Sequence, residues 1–128
     1  MRRNAESGKV PVLGREAALF KALAGSIRLR LAALLARRGE TCVCLLAQAL
    51  GEPQFKISRH LGVLRSAGVV EARREGTWMH YRLVRPRHRL EECLQECFRD
   101  CLAEHEAVRA DWRRLKRGAC ETKKGKKA

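Results

Sequence analysis

The feature that most constrains this chain is a change of hydrophobic period at Gly68. Before it, apolar residues recur every three or four positions, as on helices with one covered face; after it they alternate, as on strands. Four helices are expected ahead of the change. The first spans Gly14 to Ala24, with Ala17, Phe20, Leu23 and Ala24 on one face. The second is capped by Ser26, turns Ile27, Leu31, Leu34 and Leu35 inward, and ends at Gly39. Thr41 caps a short third helix that stops at Gly51, Glu52-Pro53 makes a turn, and Gln54 to Ala67 forms the fourth with Ile57, Leu61 and Leu64 inward. Val69 to Arg74 and Trp78 to Val84 then read as two strands around Glu75-Gly76-Thr77. Met79, Tyr81 and Leu83 lie on one face of the second strand, so the pair is a β-hairpin with glycine in its turn.

From Pro86 one long helix is expected to about Leu115. Leu90, Leu94, Phe98, Cys101, His105, Val108 and Trp112 recur along it at spacings of 4 and 3, a stripe suited to pairing with another helix. A helix of that length is not expected to fold back fully onto so small a body, so the stripe reads as a dimer seam. The element order is helix, helix, helix-turn-helix, basic hairpin, helix. That is a winged helix-turn-helix: mainly α with a β-hairpin wing, and dimeric. With 128 residues, 45% hydrophobic and 33% charged, one globular domain is expected. Its organisation reads as an arm over 1–13, the winged helix-turn-helix with dimerising first and last helices over 14–117, and a basic disordered tail over 118–128.

Charge narrows the partner. Lys+Arg is 28 and Asp+Glu is 14, a net charge of +14, and it is segregated. Residues 54–90 carry nine basic against two acidic residues, and 113–128 carry eight against one, while 91–112 reverse to two against seven. A block of this kind over the helix-turn-helix and hairpin points to a polyanion. Aromatic residues are 5%, too few for a single-strand stacking platform. No run of 18 apolar residues could span a bilayer, and no apolar region follows the basic start, so a cytoplasmic protein with reduced cysteines and no membrane partner is expected. No Cys-x-x-Cys motif, phosphate-cradling glycine loop or Ser/His/Asp set with helpful context suggests an enzyme, and nothing implies an organic cofactor.

Double-stranded operator DNA is the expected partner. The helix that begins Gln54-Phe55-Lys56-Ile57-Ser58-Arg59-His60-Leu61 has an inward anchor at Ile57 and Leu61. Gln54, Lys56, Ser58, Arg59 and His60 are its candidate donors to base edges and phosphates. In the hairpin, Arg73, Arg74 and Thr77 are the candidate backbone or minor-groove contacts.

Four separated segments carry a family resemblance. They are Leu19 to Ala24, Glu40-Thr41-Cys42-Val43-Cys44-Leu45-Leu46, Lys56 to Leu61, and Gly76-Thr77-Trp78-Met79-His80-Tyr81-Arg82-Leu83. In that order, over roughly residues 17–85, the chain resembles the arsenic-responsive repressor (ArsR/SmtB) family. The resemblance implies a homodimeric winged helix, paired through its first and last helices, that binds a palindromic operator and is released by a thiophilic metalloid. Trivalent arsenic or antimony is the implied inducer.

Cys42-Val43-Cys44 falls where arsenic- and antimony-sensing members carry a Cys-Val-Cys-Asp-Leu-Cys box. Here Leu45 replaces the acid and Ala47 the third cysteine, so the matched metal ligands are Cys42 and Cys44. Residues i and i+2 diverge on a helix, so chelation by this pair is expected to unwind the first turn of the third helix. Cys93, Cys97 and Cys101 form a second candidate cluster: i, i+4 spacing lets adjacent pairs meet on one face, but one helix cannot bring all three to one ion, so a bound pair would take its third thiol from Cys120 or from the partner subunit. Cys101 also lies on the apolar stripe, where it would serve as core. A zinc or cobalt site from His88, Glu92, His105 or Glu106 lacks the family's Asp-x-His start. Two other functions compete: a thiol redox-sensing winged-helix repressor, and a non-sensing basic nucleic-acid-binding module.

Overall fold

The computed structural model describes residues 13–119. Most of the proposed arm, most of the proposed tail, and Cys120 lie outside the described residues.

Helix α1 (Gly14–Leu23) is followed by α2 (Ser26–Arg38). The residue that caps α2 is Gly25; Ser26 is already helical. The covered face of α1 is also displaced from the expected one. Ala22 and Leu23 are buried and Leu19 packs on the core, whereas Phe20 is 51% exposed and Ala17 and Ala24 are exposed. Helix α2 runs through the centre, with Leu31, Leu34 and Leu35 essentially inaccessible, and Gly39 ends it at φ 89, a backbone conformation that costs glycine least.

Thr41 and Cys42 form a short strand, β1, ahead of α3 (Val43–Leu50). The expected cap at Thr41 is therefore corrected: Thr41 is in the sheet, and extended Cys42 is the residue that precedes the helix (φ −70, ψ 142). Helix α4 (Gln54–Ser66) packs on α3 and buries Ile57, Leu61 and Leu64. The hairpin is β2 (Val70–Glu75) and β3 (Trp78–Leu83), in antiparallel register from Val70 opposite Leu83 to Glu75 opposite Trp78. β1 adds to the other edge of β3, with Thr41 opposite Tyr81 and Cys42 opposite His80, giving the sheet order β1-β3-β2. Tyr81 is buried, with Met79 and Leu83 packed against the core on the same face.

The last helix departs most from expectation. It is α5 (Arg89–Glu96), a π-helical turn (Cys97–Cys101) and a 3-10 turn (Leu102–Glu104), then α6 (Glu106–Arg117). His105 breaks it with extended backbone (φ −68, ψ 136), and its Nδ1 accepts the amide of Ala107 at 3.1 Å as the cap of α6. The break lets α6 fold back onto α2 and α3. Phe98, Val108 and Leu115 are thereby buried within one protomer, while Cys101 is exposed rather than core. The physical reason is Asp111. Its fully buried carboxylate accepts Arg30 Nε and Nη2 of α2, both at 2.8 Å, and Arg114 Nη2 at 2.8 Å. Arg114 Nε also donates to the carbonyl of Ala49 in α3 at 2.7 Å. Arg37 stacks its guanidinium 4.0 Å from the ring centroid of Trp112. A continuous helix would carry all of these partners away from α2 and α3.

Candidate functional site

Two candidate sites stand out, one on α4 and the hairpin and one where β1 meets α3. The first is a basic face. Pro53 begins α4 in extended conformation, and the anchor of Ile57 and Leu61 turns Gln54, Phe55 and Arg59 outward, all three exposed. Arg59 sits over the Phe55 ring, 5.8 Å from its centroid, one helical turn away. Lys56 Nζ pairs with Glu52 at 3.1 Å. Ser58 and His60 are half-buried, and His60 Nδ1 accepts Arg28 Nη1 of α2 at 3.1 Å. Burial, and then the neighbouring Arg28, Lys56 and Arg59, hold His60 below the usual imidazole range. It therefore braces α4 against α2 as a neutral ring.

At the hairpin Arg74 and Thr77 are exposed, and Gly76 makes the turn at φ 65. Arg74 enters none of the ion pairs among the described residues. Arg73 is engaged: its guanidinium hydrogen-bonds the carboxylate of Glu40, lies 3.6 Å from Glu75, and holds the Glu40 carboxyl below the usual range. Sequence pattern missed both this pairing and the role of Phe55, because each depends on which side chains the fold brings face to face.

The second site is sulfur. Cys42 Sγ and Cys44 Sγ lie 3.3 Å apart. The expectation that the pair must unwind α3 to converge is overturned, because Cys42 is extended and outside the helix. Two thiolates bound about 2.3 Å from one ion, as at zinc, are roughly 3.3–3.8 Å apart for bond angles of about 90–110°. The two sulfurs are close enough to serve one ion once both are reduced to thiolates. Cys42 is buried and Cys44 half-buried. Cys42 faces His80 across the sheet, and His80 Nε2 lies 3.2 Å from Glu75 at the hairpin tip. One strand therefore connects the sulfur pair to the wing, and α3 connects it to α4.

Cys93, Cys97 and Cys101 are all exposed on α5 and its π-helical extension, which packs on α2. Partial desolvation, with the Cys101 sulfur beside it, pushes the Cys97 thiol up, away from the thiolate form a soft ion needs. Among the described residues no three His, Cys, Asp or Glu side chains gather as an ion site. Among them, too, no helix is long and apolar enough to cross a membrane.

Comparison with known proteins adds three findings. The model of the family described as "Bacterial regulatory protein, arsR family" matches residues 25–72. A 65-residue stretch is 54% identical to the arsenic resistance transcriptional regulator ArsR1 of Pseudomonas putida, covering 51% of each chain. The match spans about half the length of the first curated relatives. Among solved structures, one similar chain is a homodimeric winged helix-turn-helix DNA-binding domain from Mycobacterium bovis, described as a possible ArsR-family transcriptional regulator. It is 38% identical, with a TM-score of 0.61 over 79% of this chain and 94% of that one. Another is the AntR antimony-specific transcriptional repressor, 38% identical, with a TM-score of 0.59 over 71% of this chain and 78% of that one.

Proposed function

Because the chain belongs to the arsR family of bacterial regulatory proteins, we propose that it is a repressor that binds operator DNA as a homodimer and lets go when trivalent arsenic or antimony binds Cys42 and Cys44. The observation that carries this reading is the 3.3 Å separation of the two sulfurs at the joint between wing and helix-turn-helix. Soft trivalent ions prefer thiolates. The names of the relatives, an arsenic resistance regulator and an antimony-specific repressor, point to the same class of inducer.

Mechanistically, Arg59, Gln54 and Ser58 read base edges in the major groove, and Arg74 and Thr77 meet the backbone from the wing. An ion drawn between Cys42 and Cys44 fixes the angle between β1 and the start of α3. Since β1 is bonded to β3 and α3 supports α4, that angle sets the relative placement of wing and reading helix. Coupling of about 3 kcal/mol between the two sites would change operator affinity more than 100-fold.

Dimerisation is proposed through α1 and the region of α5. Leu13 and Phe20 are 75% and 51% exposed on the α1 side, and Leu90 and Leu94 are half-buried on α5. Residues 14–117 are proposed as the folded unit. The test is a parallel titration of labelled operator DNA with arsenite, antimonite, cadmium, zinc and peroxide. Release by arsenite and antimonite at low concentration supports the reading. Release by peroxide alone favours a redox sensor, and no release by any of them favours a non-sensing DNA-binding module.

A further inference from the structure

The fork of an arginine guanidinium fits a carboxylate and a phosphate in the same way, so an arginine seated on a carboxylate must leave it before it can grip DNA. The hairpin holds both conditions side by side. Arg74 is exposed and enters none of the ion pairs among the described residues, whereas its neighbour Arg73 lies between two acids.

Arg73 of β2 is opposite His80 of β3, and His80 is opposite Cys42 of β1. Residues directly opposite in antiparallel strands share a face, so the three form one row across the sheet, on the side away from buried Tyr81. β1 and β2 are two strand spacings apart, roughly 9–10 Å. The Arg73 side chain bridges that gap. Its Nε donates to Oε2 of Glu40 at 3.0 Å, and its Nη2 donates to the same oxygen. Glu40 is the residue just before β1, two positions from Cys42. On its other side the guanidinium lies 3.6 Å from Glu75, whose carboxylate is 3.2 Å from His80 Nε2. The other pair on this face, Arg82 with Glu71 at 2.8 Å, is an ordinary contact between directly opposite residues of the hairpin. Only the Glu40–Arg73 pair reaches from the hairpin to β1 among the ion pairs of the described residues. The Arg73 and Glu40 side chains are 53% and 29% exposed, and pairs this open to water add little stability. The contact instead sets where the guanidinium points, which is back over the sheet toward β1.

We propose that Glu40 is a positioning residue for the wing: its carboxylate holds Arg73 over the sheet, and a phosphate of the operator must displace it before Arg73 contributes to DNA binding. This rests on the reading that the hairpin meets the DNA backbone. The hold is anchored next to a strand of two residues, so a shift of β1 moves Glu40 and with it the point at which Arg73 is kept. Arg73 is thereby a reserve contact of the wing, and Arg74 a standing one.

The experiment uses the full chain as wild type, Glu40→Gln, Arg73→Gln, Glu40→Gln/Arg73→Gln and Arg74→Ala. Each is titrated onto labelled operator duplex and onto a random duplex, followed by fluorescence anisotropy at several salt concentrations, with thermal unfolding measured alongside. One phosphate contact with a slope of about 0.9 is worth about fivefold in affinity at roughly 0.15 M salt. For Glu40→Gln we therefore expect both duplexes to bind about fivefold tighter, with a salt slope steeper by roughly one unit. Its unfolding midpoint should stay close to the wild type's, which separates positioning from a structural role. Arg73→Gln alone should change binding by less than about threefold, and in the double variant it should abolish the gain of Glu40→Gln. Unchanged affinity and slope in Glu40→Gln would overturn the proposal. So would a gain of the same size in the double variant, since net charge alone would then account for it. If Arg74→Ala weakens binding while Glu40→Gln changes nothing, the hairpin meets DNA and only the role of Glu40 fails. If none of the variants changes affinity or slope, the reading that the wing meets DNA fails as well.

Discussion

Replacing Asp111 by alanine should unfasten α6. The carboxylate is fully buried and accepts three charge-assisted hydrogen bonds at 2.8 Å, two from Arg30 and one from Arg114. Bonds of this kind contribute about 1.5–3 kcal/mol each when a partner is lost. The sum is not reached, because the Arg30 and Arg114 side chains are 21% and 41% exposed and recover water once the carboxylate is gone. A net loss of about 2–4 kcal/mol is expected, within or just below the range for breaking a buried ion pair. That corresponds to roughly a 10 °C fall in Tm for a domain of this size. Urea unfolding followed by far-ultraviolet circular dichroism measures it, with Arg37→Ala as a comparison at the neighbouring Trp112 contact. A loss below about 1 kcal/mol would refute the view that this cluster is what folds α6 back onto α2 and α3.

Other outcomes follow from the same geometry. Arg59→Ala should lower operator affinity by about 1–3 kcal/mol and random-DNA affinity less, in competition binding assays. Arg74→Ala should weaken both DNAs equally and lower the salt slope by roughly one unit, and Arg73→Ala should do so less, because Glu40 already engages Arg73. His60 titrates below its usual range, so its neutral form stabilises the fold above the unfolded pKa of about 6.5, and that stability is lost as pH falls through the folded value. Stability measured from about pH 7.5 down to about 5 should therefore fall in the wild type and flatten in His60→Gln, since Glu40 and Glu91, both depressed, lose their contributions only in more acidic solution. Leu13→Glu with Phe20→Glu should give folded monomers in sedimentation, whereas Phe98→Glu should unfold the protomer, because Phe98 is 3% exposed.

Much of the fold was legible in the sequence because period and punctuation agree locally. Gly39, Gly51, Gly68 and Gly76 each adopt positive φ where the sequence places an ending or a turn. Ile57, Leu61 and Leu64 are buried as the 3.6-residue period requires. The break at His105 was not legible. The stripe from Leu90 to Trp112 is equally regular whether the helix is continuous or folded back, and the deciding partner of Asp111, Arg30, is 81 residues away. The geometry of Cys42 and Cys44 was hidden for a similar reason. A two-residue strand has no period to detect, and only pairing with Tyr81 and His80 takes Cys42 out of the helix. Charge segregation located the basic face, but it could not show that Glu40 engages Arg73 while Arg74 enters none of the ion pairs among the described residues.

Cys42 and Cys44 are proposed to govern DNA release. The most direct measurement is arsenite titration of operator complexes formed by the wild type, by Cys42→Ser/Cys44→Ser, and by Cys93→Ser/Cys97→Ser/Cys101→Ser, followed by fluorescence anisotropy. The double variant should bind operator normally and stay bound on the order of 100-fold beyond the arsenite concentration that frees the wild type, while the triple variant should be released like the wild type. Release of the double variant at wild-type arsenite, with the triple variant held on DNA, would contradict this assignment and place the sensor on α5.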